Sequence, residues 1–173
     1  MSRDTEEKVQ ANIKDTGLVS VFDNKGIEIG RKPKTEIDKQ KDIFQALYVR
    51  VYIGNKILLT KVKRKEGGIA KTNEGKWGLP VATIIKCEES IEEAFKRACL
   101  DDIGVIPKII KVYERKVVSF ESTSARIVFA FNAELELIPS NSSFEYLLIN
   151  KEEVISCYKE WNMAETVMIF DYK

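Results

Sequence analysis

The stretch GKWGLPVATIIKCEESIEEAFKRACLDDIGV, residues 75–105, carries the clearest helix signal in the chain. Ser90 and Glu93 have the spacing of a capping box, in which the serine hydroxyl accepts from the Glu93 amide and the Glu93 carboxylate accepts from the Ser90 amide. Gly104 supplies the left-handed residue that commonly ends a helix. The sequence therefore predicts a helix from about Ile91 to Ile103.

Two acids, Asp101 and Asp102, close this predicted helix. With position 98 they have the i, i+3, i+4 spacing that brings side chains together on a helix surface. Acids at a helix C-terminus oppose the helix dipole by about 0.3 to 1 kcal/mol each, and a bound cation would remove that cost. Mg²⁺ prefers a few carboxylate oxygens completed by phosphate and water. The alternative is a polar last turn on a surface helix.

The same stretch resembles the signature of the Nudix superfamily, G-x5-E-x7-R-E-U-x-E-E-x-G-U, where U is a bulky aliphatic residue and an aromatic-x-Leu-Pro segment comes first. The spacing from the glutamate of the signature to its last aliphatic residue is kept in full. The matching residues are Trp77, Leu79, Pro80, Glu89, Arg97, Asp101, Asp102, Gly104 and Val105.

The resemblance implies an α/β fold, a Nudix-type α/β/α sandwich with a mixed β-sheet. It also implies a Mg²⁺ or Mn²⁺ site on the signature helix, with Asp101 and Asp102 as metal ligands and with Glu89 and Arg97 in the catalytic set. Members of the family typically hydrolyse a diphosphate linked to a nucleoside or another group. In such chemistry the metal neutralises diphosphate oxygens and lowers the pKa of the attacking water.

The sequence departs from the signature at four points, one of which is a segment between Pro80 and Glu89 that is one residue longer than usual. Thr83 stands where the opening glycine is expected, and Ala98 replaces the first glutamate of the R-E-U-x-E-E run. Asp101 and Asp102 replace the remaining glutamates, each with a side chain one methylene shorter. The Glu89 and Arg97 pair, which in the family mainly braces the loop against the helix, is kept. We therefore expect weak Mg²⁺ or Mn²⁺ binding and a degraded hydrolytic centre. Glu88, Glu92 or Glu93 on or near the same element, or a carboxylate from elsewhere such as Glu121, could complete the site.

The composition limits the chemistry further. The chain has 173 residues and no histidine, which excludes Ser-His-Asp and Cys-His catalysis and every metal site that needs imidazole. A net charge of +1 gives no strong nucleic-acid signal. No apolar run approaches a membrane span, no signal peptide is evident, and the three cysteines have no paired spacing, so the sequence predicts a cytoplasmic protein with reduced thiols.

Around the signature the pattern is that of strands and turns. We expect a polar N-terminal extension over residues 1–16 and a single Nudix-like domain over 17–173. Hairpins are predicted around the turns at residues 23–26 and 54–55. Further predicted elements are strands at 108–120, 126–137 and 144–150, a capped helix from Asn150 to about Tyr158, and an amphipathic helix between Met163 and Phe170.

A basic stretch and one aromatic residue are the candidate ligand-binding residues: Lys61, Lys63, Arg64, Lys65 and Trp77. In a Nudix fold the basic stretch would lie near the cleft mouth, where cations suit a diphosphate group. The alternative is a set of solvated lysines that discourage strand-edge pairing. The N-terminal half is similar to Nudix members related to isopentenyl diphosphate isomerase, but that activity uses histidine ligands, which this chain lacks.

Three functions remain open from the sequence. The favoured one is a Nudix-fold protein that binds a small-molecule diphosphate of nucleoside-diphosphate type with weak or no hydrolysis. The second is an active Mg-dependent hydrolase of nucleoside diphosphate derivatives with a rearranged carboxylate set. The third is a protein-interaction module on a Nudix scaffold, with a homodimer as one form of it. The substrate and the oligomeric state are not determined by any motif.

Overall fold

A computed structural model of the protein describes residues 17–62, 75–120, 123–141 and 144–158, together with positions 160, 163, 164, 167 and 170. Within these residues the strands are β1 (Leu18–Phe22), β2 (Glu28–Pro33), β3 (Phe44–Ile53), β4 (Lys56–Val62), β5 (Val81–Ile84), β6 (Lys108–Val112), β7 (Lys116–Val118), β8 (Arg126–Leu135) and β9 (Phe144–Ile149). The helices are α1 (Ile91–Ile103) and α2 (Lys151–Cys157), and a 3-10 turn spans Lys34–Glu36.

A mixed sheet forms the centre of the fold. Its strands lie in the order β6-β8-β3-β4-β9, with β5 beside β3 and β7 beside β8. The pairing of β3 with β8 is parallel over ten residues of each strand, and the other pairings are antiparallel. β1 and β2 form a separate two-stranded hairpin. The α/β fold class with a mixed sheet is therefore confirmed.

Both faces of the sheet are covered. We call the face that packs against α1 the helix face and the opposite one the far face. On the helix face Leu47, Val49, Val51, Phe131 and Ala133 pack with the helix residues Ala94, Phe95, Ala98, Cys99 and Ile103. On the far face Phe44, Ala46, Tyr48, Val128 and Ala130 pack with Val154 of α2 and with Met163 and Val167. Alternate residues of one strand point to opposite faces, so β3 and β8 contribute to both clusters.

The predicted strand at residues 108–120 is wrong as one element. It divides into β6 and β7, which lie one after the other along β8. Residues 113–115 between them belong to neither strand, although the Tyr113 amide still donates to the Ala130 carbonyl of β8 at 3.0 Å. The predicted strand at 126–137 ends at Leu135, and Leu137 is exposed. The alternating apolar residues of β8 account for only one of its two buried faces. Val128 and Ala130, which point to the far face, are also buried.

The predicted bounds of α1 are confirmed, and both ends show why. The Ser90 hydroxyl accepts from the Glu93 amide at 3.1 Å, and the Glu93 carboxylate accepts from the Ser90 amide at 2.8 Å. Gly104 has φ 71°, and its amide donates to the carbonyl of Cys99 at 3.0 Å. Caps at both ends fix which residues face the sheet.

The N-terminal hairpin lies against the loop that precedes α1. Its turn is stabilised by the Asp23 carboxylate, which accepts from the amides of Lys25 and Ile27, and by Gly26 at φ 78°. The amide of Cys87 donates to the carbonyl of Leu18 at 2.9 Å. This bond ties the hairpin to the segment that joins β5 to α1.

At the C-terminal end α2 begins after Asn150, as predicted, and the Glu153 carboxylate accepts from the Asn150 amide at 3.1 Å. Most of the predicted helix between Met163 and Phe170 lies outside the described residues, as does the extension at 1–16. Neither described helix is both long and apolar enough to cross a membrane.

Replacing Ser90 with alanine should lower the free energy of unfolding by about 1 kcal/mol, because the Glu93 amide loses its side-chain acceptor. Urea denaturation followed by circular dichroism measures this. Ser90→Asp, which keeps an acceptor at the same position, should stay close to the wild type. An equal loss in both variants would show that the cap contributes nothing specific.

Candidate functional site

Arg97 joins α1 to the strand and loop before it. Its guanidinium donates to both Glu89 carboxylate oxygens, through Nε at 2.5 Å and through Nη2 at 2.9 Å. The same group donates to the Thr83 hydroxyl at 3.1 Å and to the Ile84 carbonyl at 3.2 Å. One side chain therefore fixes the helix to β5 and to the loop, and its fork geometry makes the contact specific.

Glu89 is held by this contact. Although burial raises its pKa, hydrogen bonds from Arg97 and from the Lys86 amide together hold the pKa below its ordinary value. The amide of Lys86 lies 3.2 Å from Glu89 Oε2. Both oxygens of the carboxylate thus accept hydrogen bonds within the protein. The arrangement is that of a brace, the role that the sequence resemblance implied for this pair.

Asp102, the second predicted metal ligand, turns toward the sheet. Its Oδ2 accepts from the Ala82 amide of β5 at 3.3 Å. The carboxyl is half-buried, and burial raises its pKa from the ordinary 3.8 to about 6, reinforced by the charge of Asp101 and opposed by the Ala82 hydrogen bond. Among the described strands β5 pairs with β3 alone, so Asp102 satisfies an amide on the open edge of β5.

Asp101 differs from its neighbour, since its side chain is exposed. Its charge acts on Asp102, raising the Asp102 pKa, and on Arg97, raising the Arg97 pKa. The positive charge of Lys34 acts in the other direction and lowers the Asp102 pKa, which places Lys34 within electrostatic range of the pair. The two acids in the last turn of α1 are therefore influenced by the positive charge of Lys34, which lies outside the helix.

Position 98, where the signature has a metal-binding or catalytic glutamate, belongs to the core. Ala98 is 2% exposed and packs in the helix-face cluster with Phe95 and Cys99. Thr83, which replaces the signature glycine, provides the hydroxyl that accepts from Arg97. Both departures therefore have structural roles in this chain: one side chain fills the core and the other accepts a bond in the brace.

The donors fit only a loosely held divalent ion. Asp101 and Asp102 can offer carboxylate oxygens, but one Asp102 oxygen already accepts from a backbone amide and position 98 offers a methyl group. Among the described residues no group of three or more cysteine, aspartate or glutamate side chains is placed to hold a metal. Mg²⁺ is often bound by one or two carboxylates with phosphate oxygens and water completing the shell. The pair suits that arrangement.

The predicted ligand-binding residues lie elsewhere. Lys61 contacts Trp77, with its Nζ 4.8 Å from the indole ring, and pairs with Glu145 at 3.2 Å. Trp77 packs against the far-face cluster, so this pair and the two aspartates are on different faces of the sheet. The structure thus brings Lys61 and Trp77 together but not with Asp101 and Asp102. Lys63, Arg64 and Lys65, and also Glu121, lie outside the described residues.

Three polar residues of interest were missed by the sequence analysis. Lys34 carried no prediction, because no local pattern could show that its charge acts on an acid at the end of a helix so distant in sequence. Arg50 and Asn132 interrupt the apolar runs of β3 and β8 and are almost fully buried. A polar residue within an otherwise apolar strand was the available signal, because such a group needs a specific reason to be buried.

No protein-family model matches the chain, and no curated protein matches it in sequence. Solved structures do match. DR0079 from Deinococcus radiodurans is 10% identical with a TM-score of 0.67, covering 90% of this chain and 99% of its own. A MutT protein from Methanosarcina mazei Go1 is 18% identical with a TM-score of 0.57, covering 78% of this chain and 93% of its own. A Nudix hydrolase from Nitrosomonas europaea is 18% identical with a TM-score of 0.50, covering 75% of this chain and 86% of its own.

These likenesses show that the chain has the same fold as these Nudix proteins, which is the fold that the resemblance in residues 75–105 implied. At identities of 10% to 18% they establish the architecture alone. What the site does must be argued from its own residues, because one fold supports many functions.

Asp102→Asn should make the protein more stable at pH 7.5 than the wild type, by about 1 to 2 kcal/mol after allowance for partial exposure. The folded-state pKa of about 6 exceeds the ordinary 3.8, so the protonated carboxyl favours the folded state. Its contribution is present below about pH 4 and is lost as the pH rises through about 6. Asparagine keeps an acceptor for the Ala82 amide and cannot ionise.

Urea titrations at pH 4, 5, 6 and 7.5 measure the difference. Asp101→Asn, at the neighbouring exposed position, is the matched control and should change stability little at any of these pH values. A gap between Asp102→Asn and the wild type that does not depend on pH would contradict the buried titration.

Proposed function

We propose that the protein binds a small-molecule diphosphate of nucleoside-diphosphate type at the C-terminal end of α1 and hydrolyses it weakly or not at all. The observation that carries the proposal is the different fate of the parts of the signature. The bracing pair Glu89 and Arg97 is intact, while position 98 is an alanine buried in the core. The scaffold that positions the site is thus retained without one of its metal-binding or catalytic carboxylates.

Asp101 and Asp102 would hold Mg²⁺ or Mn²⁺ together with diphosphate oxygens. When bound, the ion would neutralise the diphosphate and make a nearby water more acidic. The raised pKa of Asp102 supports this assignment, because a half-buried, incompletely compensated carboxylate gains from a nearby cation. Asp102 also keeps its bond to the Ala82 amide, and this restricts its reach toward an ion.

The positive charge for the ligand has two candidate sources. Lys61, Lys63, Arg64, Lys65 and Trp77 remain the proposed ligand contacts from the sequence. The structure adds Lys34, whose charge already acts on Asp102. The charge of Lys34 lowers the Asp102 pKa, whereas the Lys61 ammonium is paired with Glu145.

A melting scan of the full chain against nucleoside diphosphates, sugar nucleotides, dinucleotides and prenyl diphosphates, with and without Mg²⁺, tests the proposal. A ligand at a hundredfold its Kd should stabilise the protein by about 2.7 kcal/mol. Asp101→Asn/Asp102→Asn should lose the Mg²⁺-dependent part of the shift. Glu88→Gln/Glu92→Gln, which removes two charges from exposed positions, should retain it.

Release of phosphate or nucleoside monophosphate is measured on the same samples. Stabilisation without turnover agrees with the proposal. Mg²⁺-stimulated turnover that disappears in Asp101→Asn/Asp102→Asn would instead establish the rearranged hydrolase. The absence of any stabilisation across the panel would exclude diphosphate binding and leave the interaction module as the remaining interpretation.

Lys34→Gln should weaken the diphosphate-dependent stabilisation more than Lys61→Gln does. The positive charge of Lys34 favours the ionised form of Asp102, while Lys61 already forms an ion pair with Glu145. Kd values from ligand titrations of the two single variants give the comparison, since each removes one positive charge. A larger effect at Lys61 would place the diphosphate on the far face beside Trp77.

A further inference from the structure

A row of three polar side chains crosses the sheet on the far face. Lys111 of β6 and Arg50 of β3 are both register partners of Asn132, which lies between them on β8. Side chains at paired positions point to the same face of a sheet. Arg50 is 1% exposed and Asn132 is 9% exposed, so the row runs from a buried cation through a buried amide to a lysine at the surface.

Two aromatic rings cover this row. The ring of Phe170 lies over the Arg50 guanidinium, 4.3 Å from its central carbon. Tyr113 meets Phe170 edge to face, with ring centroids 5.3 Å apart, and carries the Lys111 ammonium 4.4 Å above its own ring. A planar guanidinium stacks readily on flat π-systems, so the Arg50 guanidinium that lies under Phe170 could equally stack on another planar ring.

The amide of Asn132 has one satisfied and one unsatisfied end. Its Nδ2 donates to the Tyr113 hydroxyl at 3.0 Å. Its Oδ1 is buried and has no hydrogen-bond partner among the described residues. A buried acceptor without a donor destabilises the fold by about 1 to 3 kcal/mol. A donor supplied from outside the chain would remove that destabilisation.

Tyr113 complements this acceptor. Its hydroxyl oxygen accepts from Asn132, so the hydroxyl hydrogen is directed away from that bond and can be donated. An acceptor at Asn132 Oδ1 and a donor at the Tyr113 hydroxyl match a ligand edge with an N–H beside a carbonyl. The stacking surface of Arg50 requires that this edge belong to a flat ring.

We propose that Arg50, Asn132, Tyr113 and Lys111 form a second binding site, for a planar heterocycle with an N–H next to a C=O, and that Phe170 takes the place of that ring in the unliganded protein. The ring N–H donates to Asn132 Oδ1, and the carbonyl accepts from Tyr113. Uracil-type and guanine-type rings share this edge. The site lies on the face opposite α1, so it requires neither a metal ion nor Asp101 and Asp102.

Calorimetric titration of the full chain in EDTA with uridine and with guanosine tests the site. At least one nucleoside should bind, and which one identifies the ring type. The matched probes are 3-methyluridine and 1-methylguanosine, whose methyl groups replace the N–H. Loss of a hydrogen bond to a buried acceptor should weaken binding by about tenfold or more.

Variants assign the binding to these residues. Asn132→Leu and Tyr113→Phe should each weaken binding by about tenfold, whereas Asp101→Asn/Asp102→Asn should leave the Kd unchanged. Phe170→Ala should tighten binding, because the nucleoside no longer displaces a ring from Arg50. If Asn132→Leu does not fold, the methylated probes decide the same point on the wild-type chain.

The proposal is overturned if neither nucleoside binds the wild type or Phe170→Ala, or if methylation of the N–H leaves the Kd unchanged. Binding only to Phe170→Ala supports it, with the phenylalanine ring as the competitor. Because these titrations contain no divalent ion and no diphosphate, their failure would leave the proposed diphosphate function untouched. Likewise, failure of the diphosphate melting scan would leave the proposed nucleoside site untouched.

Discussion

The site depends on four hydrogen bonds that the Arg97 guanidinium donates to three groups. One guanidinium, extended from α1, holds the Glu89 carboxylate, the Thr83 hydroxyl and the Ile84 carbonyl. The helix is thereby fixed in rotation and in height against β5. Asp102, slightly more than one turn further along, then meets the Ala82 amide at the edge of that strand. The position of each acid at the end of α1 follows from these hydrogen bonds and from the capped ends of the helix.

The departures from the signature can be explained in the same terms. The Thr83 hydroxyl accepts a hydrogen bond from Arg97. Ala98 is buried between the helix and the sheet, where a longer, charged side chain would be unfavourable. Residues that hold the scaffold together are retained, because their partners lie within the chain. Position 98 contributes a buried methyl group to packing and offers no oxygen atom to an ion. This division between structure and chemistry is the physical basis for proposing ligand binding over turnover.

The two faces of the sheet differ in the polarity of the side chains that they bury. The helix face is filled by apolar side chains of α1, while the far face contains three buried polar residues, Arg50, Arg126 and Asn132, beside its apolar cluster. Burial of polar groups is unfavourable unless they are paired. The Phe170 ring stacks on the Arg50 guanidinium, and the Tyr113 hydroxyl accepts from one end of the Asn132 amide. The Asn132 acceptor, which has no partner among the described residues, is the observation on which the proposed second site rests.

The sequence by itself determined the features that depend on neighbouring residues: the bounds of α1 from Ser90, Glu93 and Gly104, the two hairpin turns, and the spacing that identified the Nudix fold. Local rules suffice there because the interacting atoms are a few residues apart. They misjudged residues 108–120, where the break at 113–115 depends on how the chain follows β8.

Only the tertiary structure decided the bond between Asp102 and Ala82, the separation of Lys61 from the two aspartates, the approach of Lys34, and the row from Lys111 to Arg50. Each of these depends on which strands become neighbours and which face they share. The parallel pairing of β3 with β8 joins segments far apart in the chain, and alternation along a single strand cannot show that both of its faces will be buried.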